Sequence, residues 1–551
     1  MEKIWLKNYP KGVPAEINPD EYHSINELLS QKVKRFSGLG AFENMGVTLT
    51  FSELDQLSDH FAAFLQNDLG LEKGDRIALQ MPNILQYPVA LFGALKAGLI
   101  IVNVNPLYTP REMRHQLQDA GAKAIVIIAN FCDKLEKILS ETDIKHIVTT
   151  ELADLFPNPK RIIVNSVVKY IKKMVPHYHL PKAISFRDAL RRGKASTLKP
   201  VEVSREDIAF LQYTGGTTGI AKGAMLTHRN ILANLAQNSA WMSELLVEGK
   251  ETILTPLPLY HIFSLTVNCL TFMNYGGKNI LITNPRDIPD FIKIMRNSHF
   301  TAMSALNTLF NALLNHPDFT KIDFSRLKLS VAGGMAMQTS VIKRWTETTK
   351  TRLAEGYGLT ETSPVVAATP FTGGDQPGTI GMPFPSTDIR IVSEEGKDLG
   401  IGEPGELWVK GPQVMKGYWN KPEETAKVMT PDGWFKTGDI ATIAEDGFLK
   451  IVDRKKDMIL VSGFNVYPNE VEDIVAAHPK ILEVAAIGIP DEHSGEVVKL
   501  FIVKKDPSLT EEEVLAYCKE NLTGYKRPKE IEFRTDLPKT NVGKILRKDL
   551  R

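Results

Sequence analysis

Between residues 51 and 128 the chain switches repeatedly between helical and strand periodicity, and this alternation narrows the choice of fold more than any other feature. FSELDQLSDHFAAFLQNDLG (51–70) places Leu54, Leu57, Phe61, Phe64 and Leu65 at helical spacing and stops at Gly70. RIALQM then reads as a strand, LQYPVALFGALKAG as a helix and LIIVNVN as a buried strand. REMRHQLQDAG is helical again, and AKAIVII is a further strand. Strands separated by helices of this length pair in parallel, with the helices packed on the sheet, so the class is α/β. IRIVSEEGKDLGIGEPGELWVKG differs: short strands with Gly and Pro turns suggest a small antiparallel barrel or sheet. After DGFLKIVDRKKDMILVSG the pattern becomes a compact α+β unit. Pro468 opens the helix PNEVEDIVAAH, which Pro479 ends. EVAAIGIP and VVKLFIVKK read as strands. Thr510 and Glu513 make a capping box for EEEVLAYCKENL, closed by Thr523 and Gly524. The expected division is a large domain over 1–453, with parallel-sheet subdomains and a small β-barrel-like one, and a small domain over 454–551.

At 551 residues the chain is too long for one core, so several units are expected. Hydrophobic residues at 43% and charged residues at 24% are those of a soluble globular protein. Lys+Arg 66 against Asp+Glu 65 leaves no global field to attract nucleic acid. Cys132, Cys269 and Cys518 are too few and too scattered for a disulfide framework or a cysteine metal site, which fits a reducing cytoplasm. MEKIWLKNYP lacks the apolar core of a signal peptide. The most apolar run, YPVALFGALKAGLIIVNVN, is broken by Lys96 and reads as a buried helix and strand rather than a membrane span.

Chemistry concentrates in YTGGTTGIAKGAMLTHRN (213–230). A loop of small residues exposes backbone N–H groups, threonine hydroxyls add donors, and a lysine supplies a point charge, a set suited to phosphate oxygens. It is not a P-loop of the Walker A type, because Ala221 precedes Lys222 and Gly223 follows it. Alone, the stretch also fits a flexible surface loop. Its companions weigh against that. EGYGLTE (355–361) ends in a hydroxyl and a carboxylate suited to phosphate and Mg²⁺. WFKTGD (434–439) ends in a carboxylate able to hold a ribose diol, and KTNVGKILRKDL sets Lys544 after a glycine turn.

In this order the motifs resemble those of the adenylate-forming superfamily, which includes acyl-CoA synthetases, 4-coumarate ligases, luciferases and the adenylation domains of peptide synthetases. DGWFKTGDIATIAEDGFLKIVDRKKDMILVSGFNVYPNEVEDIV, TPLPLYHIF, ILITNPRDIP and NTLFNALLN look like those of bacterial long-chain fatty acyl-CoA synthetases. That resemblance implies the reaction of fatty acid, ATP and CoA to acyl-CoA, AMP and pyrophosphate through an acyl-AMP, with Mg²⁺ as cofactor, feeding β-oxidation. By the same resemblance Thr214, Gly215, Gly216, Thr217, Thr218, Gly219 and Lys222 wrap the phosphates. Thr360 touches the α-phosphate, and Glu361 and Thr218 serve the metal. Gly334, Met335, Glu355, Gly356, Tyr357 and Gly358 border the adenine, with Tyr357 stacked on the base, while Asp439 and Arg454 hold the ribose. Lys544 of a mobile C-terminal domain neutralises charge during adenylation, the domain swings about a hinge at Lys456, and CoA enters past Ser462, Gly463, Phe464 and Lys526, with Arg527 beside it. GYKRPK reads equally as a basic loop without a ligand. His261 is either a lid residue near the acyl carbonyl or a satisfied core histidine.

A long acyl tail needs an apolar tunnel. Leu257, Leu265, Val267, Ala305 and Leu306 are candidates, and Ala305 stands where such sequences commonly carry glycine, which leaves the preferred chain length open. IIVNSVVKYIKKMV (162–175) reads as a basic amphipathic helix, with Val164, Val167, Val168, Ile171 and Val175 on one face and Lys169, Lys172 and Lys173 opposite. It fits either an anionic inner-membrane surface, giving peripheral attachment of a cytoplasmic enzyme, or docking on its own domain. A homodimer remains an open option. Ligation to a carrier protein or of an aromatic acid, and a catalytically dead scaffold, are the rival readings.

Overall fold

The structure, a computed structural model, describes residues 2–214, 221–374, 376–491, 493–540 and 543–551. Among these residues the strands form four sheets. The alternation over 51–128 builds the first. Arg76–Gln80 lies between Ile100–Asn103 and Ala124–Ile128, parallel to both, in a seven-stranded sheet closed at one edge by the antiparallel pair Ile208–Thr214 and Lys222–Thr227. A nine-stranded sheet follows the same logic. Its parallel centre runs through Lys278–Leu281, Thr252–Thr255, Ala302–Ala305, Leu329–Ala332 and Leu353–Gly358, with antiparallel strands at both edges.

Local sequence sets the elements and packing selects their partners. Helix Phe51–Asn67 starts at the Thr50–Glu53 capping box and ends one turn before Gly70. It lies against helices Gln86–Lys96 and Phe186–Lys194. At Gly193 an added Cβ would stand 1.7 Å from the His60 carbonyl oxygen, so only glycine allows that approach. The apolar run at 86–95 is buried at every position. No helix among the described residues is long and apolar enough to cross a membrane.

The two large sheets are joined by buried side-chain amides. Asn83 Nδ2 donates to the carbonyls of Thr255 (2.9 Å) and Leu257 (2.8 Å), and its Oδ1 accepts from the Leu259 N–H (2.8 Å). The Tyr87 hydroxyl stands 2.9 Å from the Leu259 carbonyl. A buried amide must satisfy its donors and acceptors, so these bonds fix the path of TPLPLYHIF between the sheets.

The Gly- and Pro-punctuated segment forms a four-stranded antiparallel sheet, Asp388–Val392, Gly405–Lys410, Phe435–Ile443 and Leu449–Arg454. The chain then passes an exposed turn at Lys455 and Lys456 into a five-stranded sheet that starts at Ile459. Helices Pro468–Ala476 and Glu511–Asn521 flank it, the second with the Thr510–Glu513 capping box.

One expected element differs. Residues 162–175 are not a single amphipathic helix. An α-helix, Lys160–Ser166, widens into a π turn, Val167–Ile171, and Lys173 then takes a left-handed φ of 49°. The Lys172 N–H reaches five residues back to the Val167 carbonyl (2.8 Å), which slips the helical phase by one residue. Val164, Val167 and Val168 are half-buried against their own domain. Ile162, Ile163, Tyr170, Ile171 and Met174 are exposed instead, Ile171 at 74% and Tyr170 at 68%.

Candidate active site

The turn after Leu353–Gly358 leaves the end of a parallel strand, where open α/β sheets place their ligands. Leu353–Gly358 delivers Tyr357 and, one short turn later, Thr360 and Glu361. Asp439 and Arg454 are directly opposed across the antiparallel pair Phe435–Ile443 and Leu449–Arg454, so sheet register sets their ion pair (Nε to Oδ1, 3.1 Å). The Tyr357 hydroxyl donates to Asp439 Oδ2 at 2.6 Å. Both oxygens of this buried carboxylate are therefore engaged by groups from two different sheets. Asp439 raises the Arg454 pKa further, while burial drives the Tyr357 phenol well above its usual range.

Glu361 is buried, and its Oε1 accepts from the Tyr418 hydroxyl at 2.7 Å. Burial raises its pKa, so a cation in the site would favour its ionised form. No group of three or more His, Cys, Asp or Glu side chains able to hold a metal occurs among the described residues. One hard carboxylate fits Mg²⁺ if nucleotide phosphates and water complete the shell, the usual arrangement for that ion.

Lys222 opens its strand beside the glycine loop. Its ammonium lies 5.3 Å from the centre of the Tyr418 ring and pairs with Glu424 of helix Pro422–Val428. Lys222, seconded by Lys427, holds the Glu424 carboxyl at about 2. Thr214 ends the preceding strand. Gly215, Gly216, Thr217, Thr218 and Gly219 lie outside the described residues.

His261 sits on the loop that Asn83 fixes. Burial, and then Lys544, hold its pKa down at about 4, so the ring is neutral near pH 7. Its Nδ1 accepts from the Phe263 N–H (3.3 Å), which leaves the proton on Nε2, available to donate. Lys544 arrives from the C-terminal unit, in a turn whose Gly543 carbonyl accepts from Thr308 Oγ1 (3.1 Å). Burial first, then Arg454, pull the Lys544 pKa down to about 8, against the opposing charge of Asp439. Thus His261 feels the charge of Lys544, and Lys544 in turn feels Arg454 and Asp439, although the four stand far apart in sequence.

Other expected residues fall in more ordinary places. Glu355 is buried and its Oε1 accepts from the Gly378 N–H (3.1 Å), a tie to a surface turn. Gly358 is needed because a Cβ would stand 2.1 Å from the Pro364 carbonyl oxygen. Gly356 has no such constraint, while exposed Gly334 sits beside Leu306, with Met335 next to it. Leu257, Leu265, Val267, Ala305 and Leu306 are all buried, yet Leu265 and Val267 belong to the main core and Ala305 to a second cluster under the nine-stranded sheet.

Ser462 and Gly463 form the tip of the hairpin Ile459–Val461 and Phe464–Val466. Phe464, 56% exposed, stacks on Tyr525 (4.8 Å, 19°). Lys526 lies beside that pair and is bonded to Glu470 (2.5 Å). Arg527 instead donates to the carbonyls of Leu522 and Lys519 and closes helix Glu511–Asn521. The three cysteines are buried, and burial raises the Cys132 thiol to about 12 and Cys518 to about 11. Sequence reasoning missed Tyr418, Glu424 and Tyr525. The first two share the stretch GYWNKPEET, whose aromatic–Pro–acid pattern was a signal available but unread.

The AMP-binding enzyme family model matches residues 29–419, and that of the AMP-binding enzyme C-terminal domain matches 470–544. A long-chain-fatty-acid–CoA ligase of Yersinia pestis is 58% identical over 551 residues, covering 100% of this chain and 98% of the relative. Among solved structures, an anthranilate CoA ligase in complex with anthranoyl-AMP superposes with a TM-score of 0.86 at 25% identity, over 97% of this chain and 98% of the other. ATP-bound MatB from Rhodopseudomonas palustris gives 0.81 at 27% identity, over 96% and 98%.

Proposed function

The chain belongs to the AMP-binding enzyme family, and from that premise we propose that it activates long-chain fatty acids to their CoA thioesters for β-oxidation. The observation that carries the reading is the convergence of Lys544, from the C-terminal unit, on the Asp439–Arg454 pair and His261. A fatty carboxylate cannot lose oxide to a thiol. In the first step its oxygen attacks the α-phosphorus of ATP and the bond to pyrophosphate breaks. In the second the CoA sulfur attacks the acyl carbonyl, the bond to AMP breaks and the thiol proton leaves.

Negative charge builds on phosphate oxygens in the first step, so fixed positive groups and donors lower its barrier. Lys222 and the glycine loop hold the β- and γ-phosphates, which requires Lys222 to leave Glu424. Thr360 and Lys544 serve the α-phosphate. Asp439, fixed by Tyr357 and Arg454, accepts hydrogen bonds from the ribose hydroxyls. The Nε2–H of His261 donates toward the acyl carbonyl. Glu361 and Thr218 would hold Mg²⁺, which when bound neutralises phosphate charge. For the second step the unit over 454–551 rotates about Lys456 against the unit over 1–453, and Ser462, Gly463, Phe464 and Lys526 accept CoA.

Thioester formation across acids of six to eighteen carbons, with coumarate as the aromatic control, tests the reading. Each buried methylene contributes about 0.8 kcal/mol, so the maximum is expected at about twelve to eighteen carbons. A maximum on hexanoate or coumarate would overturn it, and acyl transfer to a carrier protein in place of CoA would favour the carrier-loading rival.

The same reading includes peripheral attachment to an anionic membrane in which the substrate dissolves. Ile162, Ile163, Tyr170, Ile171 and Met174 project beside Lys169, Lys172 and Lys173, an apolar patch with a basic rim. The enzyme should cosediment with phosphatidylglycerol vesicles and be released by salt. Equal binding to phosphatidylcholine, or full recovery in the supernatant at low salt, would sink this part.

A further inference from the structure

Arg547 belongs to the C-terminal unit, yet one of its partners does not. Its Nε and Nη2 donate to Glu472 (3.0 and 2.7 Å), Nη2 also to Asn469 Oδ1 (2.5 Å), and Nη1 to Asp453 Oδ1 (3.0 Å). Asp457 stands at 3.6 Å. Glu472 and Asn469 lie in helix Pro468–Ala476, beyond the Lys456 hinge and on the same side as Arg547. Asp453 lies before the hinge, in strand Leu449–Arg454, paired there with Ile440. Its Oδ2 accepts the Asn469 N–H at 2.8 Å, and its side chain is 0% exposed.

Rotation about Lys456 would carry Arg547, Glu472 and Asn469 away together and strip Asp453 of both contacts. A carboxylate closed off from water is costly to leave without its cation. Among the described residues, the other hydrogen bonds joining the two units are weaker in kind. Thr308 and Asn311 bond to the carbonyls of Gly543 and Leu482, and Thr339 bonds to Asp473 at the surface. Lys544 is three residues before Arg547, so whatever anchors Arg547 also locates the lysine near Asp439 and Arg454.

We propose that the Asp453–Arg547 pair is the strut that selects the adenylating pose, Arg547 acting as a positioning residue through Lys544. The proposal rests on the two-step reading above. It predicts a separation of the two half-reactions that damage to the fold would not produce. Disengaging the strut moves population toward the other pose, which slows the step needing Lys544 and spares the step that does not.

The test uses the full-length enzyme and three measurements: palmitate-dependent ATP–pyrophosphate exchange, thioester formation from preformed palmitoyl-AMP and CoA, and hydrogen exchange at the Thr339 amide, which Asp473 protects across the interface. Asp453→Asn should lower pyrophosphate exchange about tenfold or more, leave thioester formation within about twofold, and speed exchange at Thr339. Arg547→Lys keeps the charge but loses the fork, so it should show the same separation at smaller size, and it carries the comparison if Asp453→Asn does not fold. Glu472→Gln leaves the pair across the hinge and should affect both half-reactions alike. Equal loss of both half-reactions in Asp453→Asn, or unchanged Thr339 exchange, would overturn the strut. Wild-type enzyme without palmitate-dependent exchange would instead overturn the functional reading.

Discussion

Replacing Lys544 by alanine is expected to lower palmitate-dependent pyrophosphate exchange by about 10²–10³, the usual cost of removing one preorganised charge from a transition state. Thioester formation from preformed acyl-AMP should fall far less, because in the proposed cycle that step uses a pose in which Lys544 is withdrawn. The charge state of the same lysine gives the effect a pH signature. Burial and Arg454 hold the Lys544 pKa at about 8 in the free enzyme. The cationic form exists below that value, so kcat/KM for ATP in the exchange reaction should decline as pH rises through about 8. Bound phosphate favours the cation, so kcat should persist to higher pH. Equal loss of both half-reactions in a folded Lys544→Ala enzyme would refute the division of labour between poses.

The part of the fold that sequence displayed best is the part where periodicity and packing agree. Arg76–Gln80, Ile100–Asn103 and Ala124–Ile128 have mostly apolar runs buried on both faces, as strands covered on both sides by helices must be, and their parallel pairing follows. The capping box at Thr510 was equally legible, because a cap is a contact over three residues. Residues 162–175 were not. The 3.6-residue pattern there is intact on paper, but a π turn shifts its phase, and nothing in the local composition marks where the helix widens.

The site divides along similar lines. Asp439, Arg454, Glu361 and Lys544 stand in motifs that single them out in the sequence. Tyr418 and Glu424 do not, since each acts by contact with a residue far off in sequence: the first supports Glu361, the second neutralises Lys222. Their role depends on how the segment after the four-stranded sheet's second strand lies against Lys222–Thr227, where the Met225 N–H bonds to the Gly417 carbonyl and the Trp419 N–H to that of Gly223. Such pairings are set by the whole core, so the GYWNKPEET pattern marks the stretch without showing which residues it meets. Arg527 stands in a basic loop that the sequence reads equally with or without a ligand, and its guanidinium satisfies the open carbonyls at a helix end.

Gly463→Leu should do the reverse of Lys544→Ala. Ser462 and Gly463 turn the hairpin with φ of 50° and 83°, the left-handed pair that a tight two-residue turn requires. No atom lies within 4 Å of a Cβ built on Gly463, so a side chain there meets open space in the ligand-free enzyme and collides only with what binds. Phe464, stacked on Tyr525 next to Lys526, borders that space, the seat proposed above for CoA. Leucine there should reduce thioester formation from preformed acyl-AMP by about 10²-fold, the size of effect that misplacing a reactant by an ångström produces. Pyrophosphate exchange should stay near the wild-type rate. A left-handed non-glycine residue also strains the turn by about 1–2 kcal/mol, so Gly463→Ala is the matched control: it carries the strain with little of the bulk. If alanine and leucine slow thioester formation alike, the turn's backbone rather than access for CoA is what the glycine protects, and the assignment of this hairpin to CoA fails.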